Sequence, residues 1–157
     1  MTAGRPPAWN AFPAQNARVW TEPLVLATKD RVHLPVSVRN LLPFKGPGRL
    51  VADLFHDGMA ELRSLADAQA DIDRLTTAAG MDDALALAAM DRFQLVPVTA
   101  EGRMSLSVTI QLHLEAIETS VVRLLIESER LSLISERRWR EQRAARMDLT
   151  QRALGRV

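Results

Sequence analysis

From residue 24 onward, apolar side chains fall on alternate positions, and the same phase is written twice. With Arg31 set on Arg103, Val32 falls on Met104, Leu34 on Leu106, Val36 on Val108 and Val38 on Ile110. Alternation of this kind marks a half-buried strand. A polar stretch follows in each copy, residues 43–48 and 115–120, after which the match of apolar positions shifts by one residue. Beyond it Leu50, Leu54 and Leu62 fall on Val121, Leu125 and Leu133. Residues 50–55 and 59–62 flank His56-Asp57-Gly58, whose Asp-Gly is a two-residue hairpin signal. Residues 121–126 and 131–134 flank the polar residues 127–130 in the same way. The pattern therefore predicts an internal repeat of one small β-rich unit.

Each copy ends on a helix signal. Ser64 is placed to cap a helix with Asp67 at its third position, and Leu65, Ala68, Ile72 and Leu75 recur at helical spacing. Gly80 supplies the stop, and Asp82 or Asp83 caps a second helix running to about Asp91. Ser135 caps a C-terminal helix running towards Leu154. Residues 1–23 are rich in Pro, Ala and Gly, have no period, and read as an irregular arm. The expected organisation is thus an arm over 1–23, a first repeat over 24–63, linking helices over 64–92, a second repeat over 93–134, and a C-terminal helix over 135–157. A unit of this size buries too little surface to be stable alone. The two copies are therefore expected to share one core as an α+β fold with pseudo-two-fold pairing.

Composition narrows the function. The 157 residues carry a formal charge of only +1, which excludes a polybasic, histone-like binder. The charge is uneven: residues 66–92 hold six Asp and two Arg, whereas residues 135–157 hold seven Arg and three acids. No cysteine is present, so disulfides and thiolate metal sites are excluded. No apolar run approaches the roughly 20 residues that cross a bilayer, and the N-terminus lacks the pattern of a signal peptide. A cytoplasmic protein without a membrane partner is the expectation.

Enzymatic signatures are missing. His33, His56 and His113 have no metal-ligand spacing, and His33 is out of phase with the buried positions of its strand, hence exposed. Asp53 and Asp57 flank a turn and read as turn chemistry rather than an acid–base pair. Gly46-Pro47-Gly48 lacks the length and the Lys of a phosphate loop. No catalytic residue, cofactor or metal is therefore expected. In the C-terminal helix, Glu136 and Glu141 lie among Arg137, Arg138, Arg140, Arg143 and Arg146, which suits a solvated face, with Trp139 packed on the preceding hairpin.

The stretch Lys29-Asp30-Arg31-Val32-His33-Leu34-Pro35-Val36-Ser37-Val38-Arg39 resembles the signature of the AbrB superfamily. There a basic turn leads into a strand ending in Pro, followed by a short helix bearing Arg. Glu101-Gly102-Arg103-Met104-Ser105-Leu106 looks like a second occurrence, and residues 128–135 followed by Trp139 are similar to the segment closing the second half of MraZ proteins. Two tandem units separated by two helices is the MraZ arrangement. The resemblance implies two swapped-hairpin-like β units and a DNA-binding transcriptional regulator of the division and cell-wall gene cluster. It further implies a nucleoid-associated homo-oligomer whose partner is double-stranded DNA. Arg31 and Arg103 are the implied DNA contacts, with Lys29 and Arg39 beside the first; Arg provides a planar fork suited to phosphates and guanine edges. The sequence departs from the MraZ pattern at Ala27 and Thr99, where that pattern has Asp, at Asp30 for Gly, at Ser107 for Pro and at Gln111 for Arg. Those departures suit the alternative, an oligomeric interaction module that has lost specific DNA binding. In that case Arg31 and Arg103 are solvated turn residues paired with Asp30 and Glu101.

Overall fold

The computed structural model describes residues 19–28, 30–80 and 82–155. In its first half lie β1 (Val19–Val25), β2 (Arg31–His33), α1 (Val36–Arg39), β3 (Gly48–Asp53), β4 (Met59–Ser64), α2 (Leu65–Ala79) and α3 (Asp83–Arg92). The second half has β5 (Phe93–Val98), β6 (Arg103–Ser105), α4 (Val108–His113), α5 (Ala116–Thr119), β7 (Val121–Glu127) and β8 (Arg130–Ile134). The helices α6 (Glu136–Glu141) and α7 (Arg143–Leu154) follow.

All eight strands form one antiparallel sheet in the order β1-β7-β8-β4-β3-β5-β6-β2. A bridge between Ala27 and Arg31 returns β1 to β2, so the sheet is nearly closed into a barrel and little strand edge is left open. The ladders β1–β7, β2–β6, β3–β5 and β4–β8 each join a strand of the first segment to one of the second. Exchanging β1 with β5, β2 with β6, β3 with β7 and β4 with β8 leaves the circular order unchanged. Backbone bonds repeat in the same manner. Ala27 N–H donates to the Arg31 carbonyl at 2.7 Å and Thr99 N–H to that of Arg103 at 2.9 Å. Leu34 N–H donates to Gly102 and Leu106 N–H to Asp30, both at 2.8 Å.

The alternating apolar residues of both segments fill a single core. Val32, Leu34 and Val38 from the first segment and Met104, Leu106 and Ile110 from the second are all buried in it. Each such side chain contributes about 1.5–3 kcal/mol relative to exposure. Neither segment retains that burial alone, because each lines the interior with half of the wall.

Several local expectations need correction. β1 starts at Val19, inside the stretch read as irregular: Leu24 faces the core, and Pro23 is tolerated because β1 pairs on one side only. The remaining arm residues, 1–18, lie outside the described residues. Val36 and Val108 share a phase but are both exposed, because the chain has turned into α1 and α4 by that point. The second polar stretch holds the short helix α5, entered and left through Glu115 and Ser120 at φ of 54° and 56°.

The repeat offset set by Arg31 and Arg103 also persists further than the apolar phase suggests. Leu50 stands opposite Val96, and Val122 stands opposite Leu24, so Leu50 corresponds to Val122 rather than Val121. The one-residue difference falls later, between β3 and β4. There Leu54 N–H turns aside to the Arg92 carbonyl at 2.9 Å, and the Asp-Gly connection is wide. The tight two-residue turn belongs to the second copy. Glu127 pairs with Arg130 across Ser128 and Glu129, at φ of 48° and 67°.

The caps form as their residues predict. Ser64 accepts from Asp67 N–H, Ser135 from Arg138 N–H, and Asp82 from the amides of Ala84 and Leu85. The C-terminal helix breaks at Gln142 into α6 and α7. Arg146 folds back at the break and donates to the Trp139 carbonyl at 2.6 Å.

Candidate nucleic-acid interface

β2 and β6 form a short ribbon with one strand from each copy. Its register pairs Arg31 with Ser105, Val32 with Met104, and His33 with Arg103. Because successive side chains alternate between faces, Val32 and Met104 enter the core while Arg31, His33 and Arg103 are exposed and Ser105 is half-buried. The two arginines are diagonal neighbours on this face, a relation that places side-chain origins about 7–8 Å apart. Among the described residues neither has a carboxylate within ion-pair distance, so the pairs with Asp30 and Glu101 are not made.

Arg39 reaches the same surface from α1. Its side chain crosses Gly102, so a Cβ there would collide with Arg39 Cδ and Nε, and Gly102 also needs its φ of 85°. The Arg39 Nε is buried and makes no hydrogen bond among the described residues. Glu101, at the same turn, is held below the ordinary carboxylate range. Its own backbone amide is the main cause, helped by the Thr99 side chain and the charges of Arg103 and Arg39. Lys29 lies outside the described residues.

The two turns are not equivalent. Thr99 stands where the MraZ pattern has Asp, and its hydroxyl oxygen accepts from the Arg103 amide at 3.1 Å. Ala27 offers no such acceptor, and across the first turn Ala27 and Arg31 exchange backbone bonds. Gln111 corresponds in position to Arg39 but is buried, donating to the Leu106 carbonyl at 2.8 Å. Arg39 and Arg103 thus gather at the Gly102 end of the ribbon, and Arg31 stands at the Asp30 end.

His33 is the residue that sequence reasoning underused. It directly faces Arg103, and its Nε2 lies 3.0 Å from the Glu101 carbonyl oxygen. The available signal was its position two residues after Arg31 on a strand of period two.

Three of the C-terminal arginines, Arg137, Arg138 and Arg146, are occupied elsewhere. Arg137 meets Glu115 at 2.7 Å, Glu141 at 2.7 Å and Asp57 at 3.2 Å, and its bonds to Glu141 and Glu115 raise its pKa above the ordinary guanidinium value. Trp139 is flanked by the guanidinium groups of Arg146, 3.6 Å from its ring centre, and of Arg123 on β7, at 4.8 Å.

Asp53 is not turn chemistry. It is buried, and Arg92 grips both its oxygens at 2.8 and 3.2 Å while Arg63 adds a contact at 3.3 Å. Arg63 also holds Asp71 at 2.9 Å, which ties α2 and α3 to the sheet. That bond is the main reason the Asp71 carboxyl sits below its ordinary range. These acids are consumed by arginines, and among the described residues no cluster of three His, Cys, Asp or Glu is placed to hold a metal. No described helix is long and apolar enough to cross a membrane.

Comparison of the sequence with protein-family models and with curated proteins finds no match.

Proposed function

We propose that this chain is a non-enzymatic, DNA-binding transcriptional regulator of the MraZ/AbrB type, acting on division and cell-wall genes. The observation that carries this reading is the β2–β6 ribbon. One strand from each copy brings Arg31 and Arg103 onto one exposed face as diagonal neighbours, with neither engaged by a carboxylate among the described residues. A rigid ribbon presenting cations is suited to a backbone of regularly spaced phosphates. The invariance of strand order under exchange of the copies supports two tandem swapped-hairpin β units related by a pseudo-two-fold axis. In this reading the chain works in the nucleoid as a homo-oligomer, and repetition of the ribbon multiplies a weak contact without a strongly charged monomer.

Gln111, turned inward where the family pattern has Arg, favours the second reading, an interaction module of the same fold. A salt titration with DNA from upstream of the gene separates the two. The regulator binds with an affinity that falls steeply with salt, by counterion release; the interaction module shows no salt-sensitive DNA binding.

A further inference from the structure

We propose that His33 is a further phosphate-contacting residue of the ribbon, and that its protonation makes DNA binding tighten as pH falls. The inference rests on the DNA-binding reading and adds a contact that the turn arginines do not supply.

His33 is exposed on the same face as Arg31, two residues before it, and directly faces Arg103. Its Nε2 is 3.0 Å from the Glu101 carbonyl oxygen. A carbonyl oxygen only accepts, so Nε2 carries the hydrogen and, in the neutral ring, Nδ1 carries a lone pair. Such a ring offers a phosphate no second donor. Adding a proton at Nδ1 creates one and supplies a third cation between the two arginines.

Charged groups of both signs surround the ring. Arg103 lies across the ladder, Arg31 along the strand and Arg39 over Gly102. Glu101, at the same turn, and Asp30, beside Arg31, are the acids. A phosphate seated on the ribbon brings negative charge and an acceptor to the ring, which favours the protonated form in the complex. Imidazole is the side chain that changes charge between pH 5 and 8. The other histidines are differently placed: His56 packs edge-on against Phe55 with ring centres 4.5 Å apart, and His113 Nε2 is bonded to the carbonyls of His56 and Met59.

The test measures binding of a mixed-sequence DNA duplex of about 30 base pairs at fixed ionic strength between about pH 8 and pH 6. For the parent, affinity rises as pH falls, by at most about tenfold per pH unit for each proton taken up. The log–log salt slope steepens by about 0.9 for each added phosphate contact. H33Q, checked for folding by circular dichroism, gives a flat profile and lacks the low-pH gain. H33R carries the charge at every pH, so it binds at pH 8 as the parent does at pH 6 and is also flat. H56Q keeps the parental profile. Salt-sensitive binding whose pH profile is the same in H33Q and the parent overturns the role of His33 alone. Absence of salt-sensitive binding at every pH overturns the DNA-binding reading and this proposal together.

Discussion

Arg39 lies across Gly102, so the short helix of the first copy braces the turn of the second. The contact explains why that turn has glycine: φ is 85°, and the space a Cβ needs is already filled by the Arg39 side chain. The corresponding position of the first copy is Asp30, and the residue corresponding to Arg39 is the inward-turned Gln111. The two copies thus differ at both positions of this contact.

Gly102→Ala is expected to destabilise the fold for two separable reasons. The left-handed backbone costs about 1–2 kcal/mol with a side chain, and the Arg39 side chain must in addition shift off the turn. In an Arg39→Ala background only the first remains. Urea unfolding of the four members of this double-mutant cycle measures the coupling, and additive values contradict the brace.

Leu34→Ala and Leu106→Ala, at positions exposed by 0 % and 1 %, are each expected to cost about 2–5 kcal/mol. Both losses appear in one cooperative transition, because four ladders tie each copy to the other. Leu34→Asp and Leu106→Asp, which bring an unpaired charge into the interior, unfold the whole sheet. Hydrogen exchange that finds one copy protected while the other is open runs against a shared core.

Asp53→Asn is expected to cost about 2–4 kcal/mol, less than the loss of a fully buried pair because Arg92 is partly exposed. The helices α2 and α3 lose their anchor first, which limited proteolysis between residues 65 and 92 detects. Asp71 adds a pH dependence of known sign. Its carboxyl is held below its ordinary value in the folded protein, chiefly by the bond from Arg63. The resulting stabilisation is complete above the ordinary aspartate range and disappears as pH falls through the lowered native value. Thermal melts of Asp71→Asn therefore show lower stability than the parent near neutrality and convergence with it in acid.

Arg31→Ala or Arg103→Ala weakens DNA binding and reduces the salt slope by about one for each lost phosphate contact. If either arginine reads a guanine, its removal costs about 1–3 kcal/mol at one base instead. Light scattering reports whether the variants keep the parental assembly, and a parent that is monomeric at micromolar concentration contradicts the proposed oligomer. Arg137→Ala is unsuitable as a neutral comparison, because it releases Glu115, Glu141 and Asp57 and lowers stability. Arg152, exposed and paired only with Asp148 among the described residues, serves that purpose. A folded, oligomeric Arg31→Ala/Arg103→Ala protein that binds like the parent refutes the site.

The sequence by itself determined which face of β2 and β6 is buried and where α2, α3 and α6 begin. Val32, Leu34, Met104 and Leu106 had to face inward because a period of two leaves an alternating strand only one apolar side. Ser64, Asp82 and Ser135 cap by local hydrogen bonds to amides two or three residues on, so their roles are visible over a few residues of chain. Tertiary structure decided everything that depends on what lies across a strand. β3 is buried on both faces, with Leu50 and Ala52 in the core and Val51 and Asp53 on the side that α2 covers. Its apolar run therefore could not reveal the register, and Leu50 seemed to match Val121 instead of Val122. Asp53 resembled a turn residue until Arg92, 39 positions away, reached it. His33 looked like a solvated histidine, because only the pairing of β2 with β6 sets it opposite Arg103. Local bonding and periodicity are written along the chain, whereas the partners of a charge are fixed by the fold that gathers distant segments around it.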